Sequence, residues 1–244
     1  MTGTNYFNDL ESVYVIAEAG VNHNGKIENA FRLIDAAKES GADAVKFQTS
    51  IPEKSMSKFV NVVDYQEKNL GKKMTMLEMA AKLVLSFKDF EKIKAYCDKS
   101  EITFLSTPFH IEAAQFLNDL VPIFKISSGE IVNKEMIEFV AQTKKPAIIS
   151  TGMCTLAEIE RSINYFHGKD NENIVILHCT TNYPCPFEEV NLKAMQTINK
   201  AFKVPVGYSD HTLGIEVPIA AVSLGAKVIE KHFTLDRTME GPDH

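Results

Sequence analysis

The sequence predicts an α/β protein, a (β/α)8 TIM barrel, on three observations. Eight short runs rich in Val, Ile and Phe, of the kind buried on both faces of a parallel sheet, recur along its 244 residues. Most are followed by one segment of helical period. No glycine-rich dinucleotide fingerprint accompanies them, which disfavours a doubly wound sheet. A single domain over residues 1–244 accommodates all eight units.

The first strand is expected at 12–19 (SVYVIAEA), with the acid Glu18 at its end, and Asn22-His23-Asn24-Gly25 then has loop chemistry. Across 26–40, Ala30, Leu33, Ile34 and Ala37 recur at helical spacing, and Gly41 sits where a C-terminal cap belongs. The second strand, 44–49 (AVKFQT), puts Lys46 and Gln48 on one face. Residues 50–73 break the rhythm. They are polar, weakly periodic and too long for a βα connection, which predicts an irregular excursion over the rim.

Helical period resumes at 74–85, and Ser86 with Asp89 forms a capping-box pattern opening a helix through Phe90, Ile93 and Cys97. The alternation is then regular. Strand 102–107 (ITFLST), closed by Pro108, precedes helix 111–120, and strand 123–128 (IFKISS) precedes helix 134–143. Strand 147–151 (AIIST) precedes a helix capped by Thr155 and Glu158, and strand 174–180 (IVILHCT) precedes helix 192–201. The last two strands, 206–212 (VGYSDHT) and 228–234 (VIEKHFT), flank a helix-like run at 215–224. The chain stops ten residues after Thr234, where one more helix is expected, so the domain reads as truncated at or near the end of strand eight.

Composition bounds the partners. A hydrophobic fraction of 45% with 24% charged residues is ordinary for a soluble globular protein. A net charge of −6 gives no basic footprint and argues against nucleic acid. Four cysteines without C-x-x-C spacing suit a reducing, cytoplasmic setting. No secretory leader pattern or membrane-length apolar run occurs, so no membrane partner is expected.

In a barrel, chemistry gathers at the C-terminal ends of the strands. Those ends supply Glu18, Lys46, Gln48, Thr107, Lys125, Ser128, Ser150, Thr181, Tyr183, Ser209, His211, Glu230 and His232. Lysines and hydroxyls together suit a phosphorylated, anionic substrate. His211 and His232 end adjacent strands, where two imidazoles can hold a divalent metal; a rim histidine can equally serve as acid/base or wall residue. Lys46 and Lys125, each inside an apolar strand, would be expensive to bury unpaired. Lys125 could alternatively form a Schiff base, as in barrel aldolases. His178 reads as a satisfied core histidine, His110 and His167 as loop or helix-end residues, and Cys179 and Cys185 as packing. A barrel that binds without turnover is the non-enzymatic alternative.

Several segments go further. I-A-E-A-G-V-N-H-N-G (16–25), A-V-K-F-Q-T (44–49), S-T-P-F (106–109), K-I-S-S-G-E (125–130) and S-T-G-M (150–153) closely resemble the N-acetylneuraminate (sialic acid) synthase family. So do L-H-C-T-T-N-Y-P-C-P-F-E-E-V-N-L (177–192), G-Y-S-D-H-T (207–212), I-E-K-H-F-T (229–234) and G-P-D-H (241–244). The matches run in order over nearly the whole chain.

The resemblance implies a TIM-barrel synthase that condenses phosphoenolpyruvate with an N-acylated mannosamine-type aldose, giving a nine-carbon 2-keto acid and phosphate with Mn²⁺ or Mg²⁺. By motif, His211 and His232 would bind the metal, and Lys46, Thr107, Lys125, Ser128, Ser150 and Ser209 would hold phosphoenolpyruvate. Glu18, Gln48, Tyr183 and Asp243 would meet the sugar, joined by Asn69 from the long excursion, with Glu18 managing protons. A homodimer and a C-terminal antifreeze-like domain, which is not among these residues, are also implied. A-E-A-G at 17–20 and K-F-Q-T at 46–49 look closer to the sialic and legionaminic branch than to the pseudaminic one.

Overall fold

A computed structural model gives the fold and describes residues 5–244; residues 1–4 of the expected domain lie outside the described residues. Its elements begin with β1 (Tyr14–Gly20), α1 (Ile27–Glu39), β2 (Ala44–Thr49), α2 (Pro52–Ser55), α3 (Asp64–Leu70), α4 (Met76–Leu83) and α5 (Phe87–Lys99). They continue with β3 (Thr103–Pro108), α6 (Ile111–Leu117), β4 (Phe124–Ile126), α7 (Lys134–Gln142), β5 (Ala147–Ser150) and α8 (Leu156–His167). The last are β6 (Ile174–His178), α9 (Lys193–Phe202), β7 (Val206–Asp210), α10 (Glu216–Ser223) and β8 (Val228–His232). All eight expected strands form, in one sheet ordered β3-β2-β1-β8-β7-β6-β5-β4. This alternation of strands and helices is the (β/α)8 barrel class.

The capping signals act as expected. The Ser86 hydroxyl accepts from the Asp89 backbone N–H at 3.2 Å while the Asp89 carboxylate accepts from Ser86, opening α5. Thr155 and Glu158 do the same for α8. A third box, Thr75 with Glu78, opens α4.

The excursion differs from expectation. Residues 50–73 contain α2 and α3, and an antiparallel bridge joins Asn61 to Thr75. Val62, Met74, Met79 and Leu83 form an apolar cluster of their own, with Leu70, Met76 and Val21 against it. The ordering comes from a few apolar side chains packing locally over turns too short to carry a readable period. His110 ties its start down. It caps α6, its Nδ1 accepting the Ala113 N–H at 3.2 Å, and its Nε2 accepts the Ile51 N–H at 2.8 Å.

The chain divides into two compact units. One contains the chain up to Ile16 and Pro122–Lys231; the other contains Ala17–Val121 and His232–His244. In the first, β4 to β8 run parallel in register, with Lys125 opposite Ile148, Ser150 opposite Leu177 and Ser209 opposite Glu230. Ile148, Ile149, Val175 and Ile176 are fully buried, as the runs apolar on both faces require. In the second, β2 and β3 pair from Ala44–Thr103 to Thr49–Pro108, and α1 and α5 bury Leu33, Ile34 and Ile93.

Gly207 marks the tightest approach in the first unit. A Cβ there would collide with the Val228 carbonyl and lie 2.6 Å from Leu177 Cδ2. Backbone cannot retreat as a side-chain tip can, so Gly207→Ala is expected to lower the unfolding free energy by about 2–3 kcal/mol, measured as a lowered denaturant midpoint at constant m-value.

Candidate active site

In the unit built on β2 and β3, the polar groups at the strand ends form a bonded chain. Lys46 Nζ lies 2.7 Å from Glu18 Oε2 and donates to Thr107 Oγ1 at 3.0 Å; Gln48 Nε2 donates to Glu18 Oε1 at 3.2 Å. Lys46, Glu18 and Thr107 are buried. Period-2 alternation explains the set: Lys46 and Gln48 share a face of β2, and register brings Thr107 opposite Gln48.

Gly20 lets the chain turn close to this corner, with φ of +53°. Glu18 Oε1 and Gln48 Nε2 lie 3.4 Å, and His232 Cε1 3.6 Å, from where its Cβ would be. Asp243 faces the same corner. Burial raises its carboxyl above the usual carboxylate range, while His232 pulls it down and Glu18 pushes it up. Asn69, expected to contact substrate, donates its amide to the Pro242 carbonyl at 2.7 Å, next to Asp243.

The other unit carries three smaller groups. Lys125 Nζ lies 3.3 Å from Glu230 Oε1, and the Ser209 hydroxyl donates to that oxygen at 2.9 Å. Ser128 Oγ accepts the Gly152 N–H at 2.9 Å and sits 3.2 Å from Cys179 Sγ. Ser150 Oγ is buried without a hydrogen-bond partner among the described residues. His211 Nδ1 lies 2.6 Å from the Thr180 carbonyl, and the Tyr183 ring lies against its imidazole with centroids 4.0 Å apart.

Two sequence readings can now be tested. Lys125, for which a Schiff base is the alternative role, has its Nζ matched by the Glu230 carboxylate at 3.3 Å. Since carbonyl oxygen only accepts, His211 carries its proton on Nδ1, the tautomer that a histidine binding a metal through Nε2 would take. That fits a divalent cation. Among the described residues, no cluster of three or more His, Cys, Asp or Glu side chains is arranged to hold a metal by itself.

His178 is satisfied, as expected, by the Val190 carbonyl at 2.9 Å, and His167 ends α8. Glu230 received no role from the sequence beyond its place at the rim. Its two-residue spacing from His232 on β8 was the available signal, because alternation puts both on one face. Asn22 and His23 read from the sequence only as loop residues, for want of any period there. His23 Nδ1 accepts the Gly25 N–H, so the proton is on Nε2, buried without a partner among the described residues. Among the described residues, no helix is long and apolar enough to cross a membrane.

Each unit of this (β/α)8 fold carries a buried lysine paired with a carboxylate at its strand ends. Residues 33–244 match the NeuB family. The chain is 49% identical over 238 residues to N,N'-diacetyllegionaminic acid synthase of Campylobacter jejuni, covering 96% of this chain and 71% of that protein. It is 48% identical over 236 residues to the enzyme of the same name from Legionella pneumophila, covering 95% and 66%. It therefore spans about two thirds of the length of these relatives. A crystal structure of N-acetylneuraminic acid synthetase from Leptospira borgpetersenii in complex with citrate superimposes with a TM-score of 0.84 at 35% identity, over 96% of this chain and 77% of that one. The chain belongs to the NeuB family and is an enzyme of the synthase type.

Two outcomes are expected from this geometry. Burial holds the His23 imidazole down to about 4, below its unfolded value of 6.5. The resulting stability is complete above pH 6.5 and is lost as pH falls toward 4, by about 3 kcal/mol; unfolding curves across that range should flatten in His23→Gln. Glu230→Ala, which removes the carboxylate 3.3 Å from Lys125 Nζ, should cost about 3–5 kcal/mol, while the Lys125→Met, Glu230→Leu double variant returns close to the parent in urea unfolding.

Proposed function

We propose that this chain condenses phosphoenolpyruvate with an N-acylated amino sugar, giving a nine-carbon 2-keto sugar acid and phosphate. The observation that carries the reading is the pair of buried rim lysines, each joined to a carboxylate with a hydroxyl bonded alongside. Fixed ammonium and hydroxyl donors of this kind suit phosphate and carboxylate oxygens. Family membership and the named synthases among the relatives support it.

In this reading Lys46, Thr107, Lys125, Ser128, Ser150 and Ser209 hold phosphoenolpyruvate. The Ser150 hydroxyl, without a hydrogen-bond partner among the described residues, is a donor kept for a ligand oxygen, since a buried polar group left alone is costly. Glu18, Gln48, Tyr183 and Asp243 meet the sugar hydroxyls, and Asn69, with its amide on Pro242, offers its side-chain oxygen. His211 and His232 supply imidazoles to Mn²⁺ or Mg²⁺, which when bound polarises the sugar carbonyl as a Lewis acid.

Carbon C3 of the enol attacks the sugar aldehyde carbon, and the new C–C bond leaves positive charge at C2. Water adds there and passes one proton to the aldehyde oxygen, and the tetrahedral carbon expels phosphate, which takes the remaining hydroxyl proton as the carbonyl forms. In this reading Glu18 relays the proton from the water to the aldehyde oxygen; the Gln48 and Lys46 contacts to its two oxygens support that role. The identities of 49% and 48% with diacetyllegionaminic acid synthases favour a diacetamido-deoxy sugar.

The test is phosphate release from phosphoenolpyruvate with Mn²⁺, offering N-acetylmannosamine and 2,4-diacetamido-6-deoxymannose in parallel. Faster release with the second is expected, and no release with either from folded protein would overturn the proposal. Glu18→Gln should lower turnover by about 10²–10⁴-fold while leaving metal binding intact. Near-normal turnover would remove Glu18 from proton transfer.

A further inference from the structure

Residues Glu240–His244 carry Asp243, yet among the described residues no backbone–backbone hydrogen bond holds them. Side chains do so instead, and three are asparagines. Asn22 Nδ2 donates to the Asp243 carbonyl at 3.2 Å and to the Phe233 carbonyl at 2.8 Å. Asn24 Nδ2 donates to the Glu240 carbonyl at 2.7 Å, and Asn69 Nδ2 to the Pro242 carbonyl at 2.7 Å. His244 completes the hold, with Nδ1 2.6 Å from Thr234 Oγ1 and Nε2 3.3 Å from Asn24 Oδ1.

The chemistry of the clamp is selective. Each amide donates to a carbonyl, so these bonds fix the segment through its backbone and use none of the Asp243 carboxyl, which lies within electrostatic reach of His232 and Glu18. Asn22 is buried, and its Oδ1 has no partner among the described residues. Packing alone does not call for an unpaired acceptor there, whereas an amide whose task is donation to two carbonyls does. Asn24 has φ of +53°, a left-handed conformation that asparagine tolerates better than most residues, and this turns its amide toward Glu240.

We propose that Asn22 and Asn24 are positioning residues: their amides hold 240–244 as a strap that keeps the Asp243 carboxyl at the Glu18–His232 corner and so sets how tightly the amino sugar is bound. This inference rests on the proposed condensation. Neither asparagine takes part in bond making. Their influence falls on the sugar and not on phosphoenolpyruvate, because the strap contributes only Asp243.

Asn24→Gly tests it. Glycine keeps the positive φ without strain and deletes only the side chain, whereas alanine would add backbone strain. The variant should show faster amide hydrogen exchange across 240–244, a KM for the sugar raised about tenfold and a KM for phosphoenolpyruvate within about twofold of the parent. In an Asp243→Asn background the same change should have no further effect on the sugar KM, since a residue acting through Asp243 has nothing left to position. Asn22→Ser, which removes both donated bonds, should repeat the pattern. Unchanged exchange across 240–244 in Asn24→Gly would overturn the strap. Faster exchange with an unchanged sugar KM, or equal rises in both KM values, would overturn the positioning role. If the parent chain turned over neither sugar, the condensation would fall and the positioning role with it, while the exchange data would still decide the strap.

Discussion

Lysine and glutamate meet twice at buried strand ends of this protein, and much of the site's arrangement depends on those meetings. An ammonium inside an apolar strand is tolerable only if a carboxylate compensates it and further hydrogen bonds use its remaining protons. Lys46 finds Glu18 and Thr107; Lys125 finds Glu230, which also accepts from Ser209. Each requirement recruits residues from other strands and thereby fixes their side-chain directions. Gln48, for example, is aimed by the same carboxylate that neutralises Lys46. The strand register that supplies these partners is thus constrained from two sides, by apolar packing below and by charge compensation above.

Much of this could be read before any coordinates. Strand alternation put Lys46 with Gln48 on one face of β2, and the structure keeps them so. The capping boxes at Ser86 and Thr155 were legible because their chemistry is local, three residues apart. What could not be read was which carboxylate met which lysine. Glu18 and Lys46 are joined by strand adjacency, which sequence suggests, but the bond itself depends on side-chain directions that no period encodes. Glu230 was visible at the rim and still went without a role for that reason. The excursion was harder still. Its order comes from Val62, Met74, Met79 and Leu83 packing over short turns, and such turns carry too few apolar residues to register as periodic.

The asparagine loop after β1 illustrates a second limit. Asn22 and Asn24 reach carbonyls more than 200 residues away in sequence, and their separations carry no pattern. A polar loop was the correct local reading and an incomplete one. The polarity that marks a turn also makes these amides available as donors, so the same residues act as loop formers and as anchors for a distant segment. Neighbouring His23 adds a third task. It is buried and kept neutral, which ties the integrity of this loop to solution acidity.

The matched lysines also determine which anions can compete for them. An ion approaching Lys46 or Lys125 meets no bare charge; it must displace or share a carboxylate already in contact. A halide, with one spherical charge and no directional acceptors, gains little from that exchange. A tetrahedral oxyanion can accept from the ammonium and an adjacent hydroxyl together, replacing bonds one for one. The pairing therefore works as a sieve on the shape of the anion rather than on its charge, and the crowded ionic background in which such an enzyme works should leave these lysines largely undisturbed.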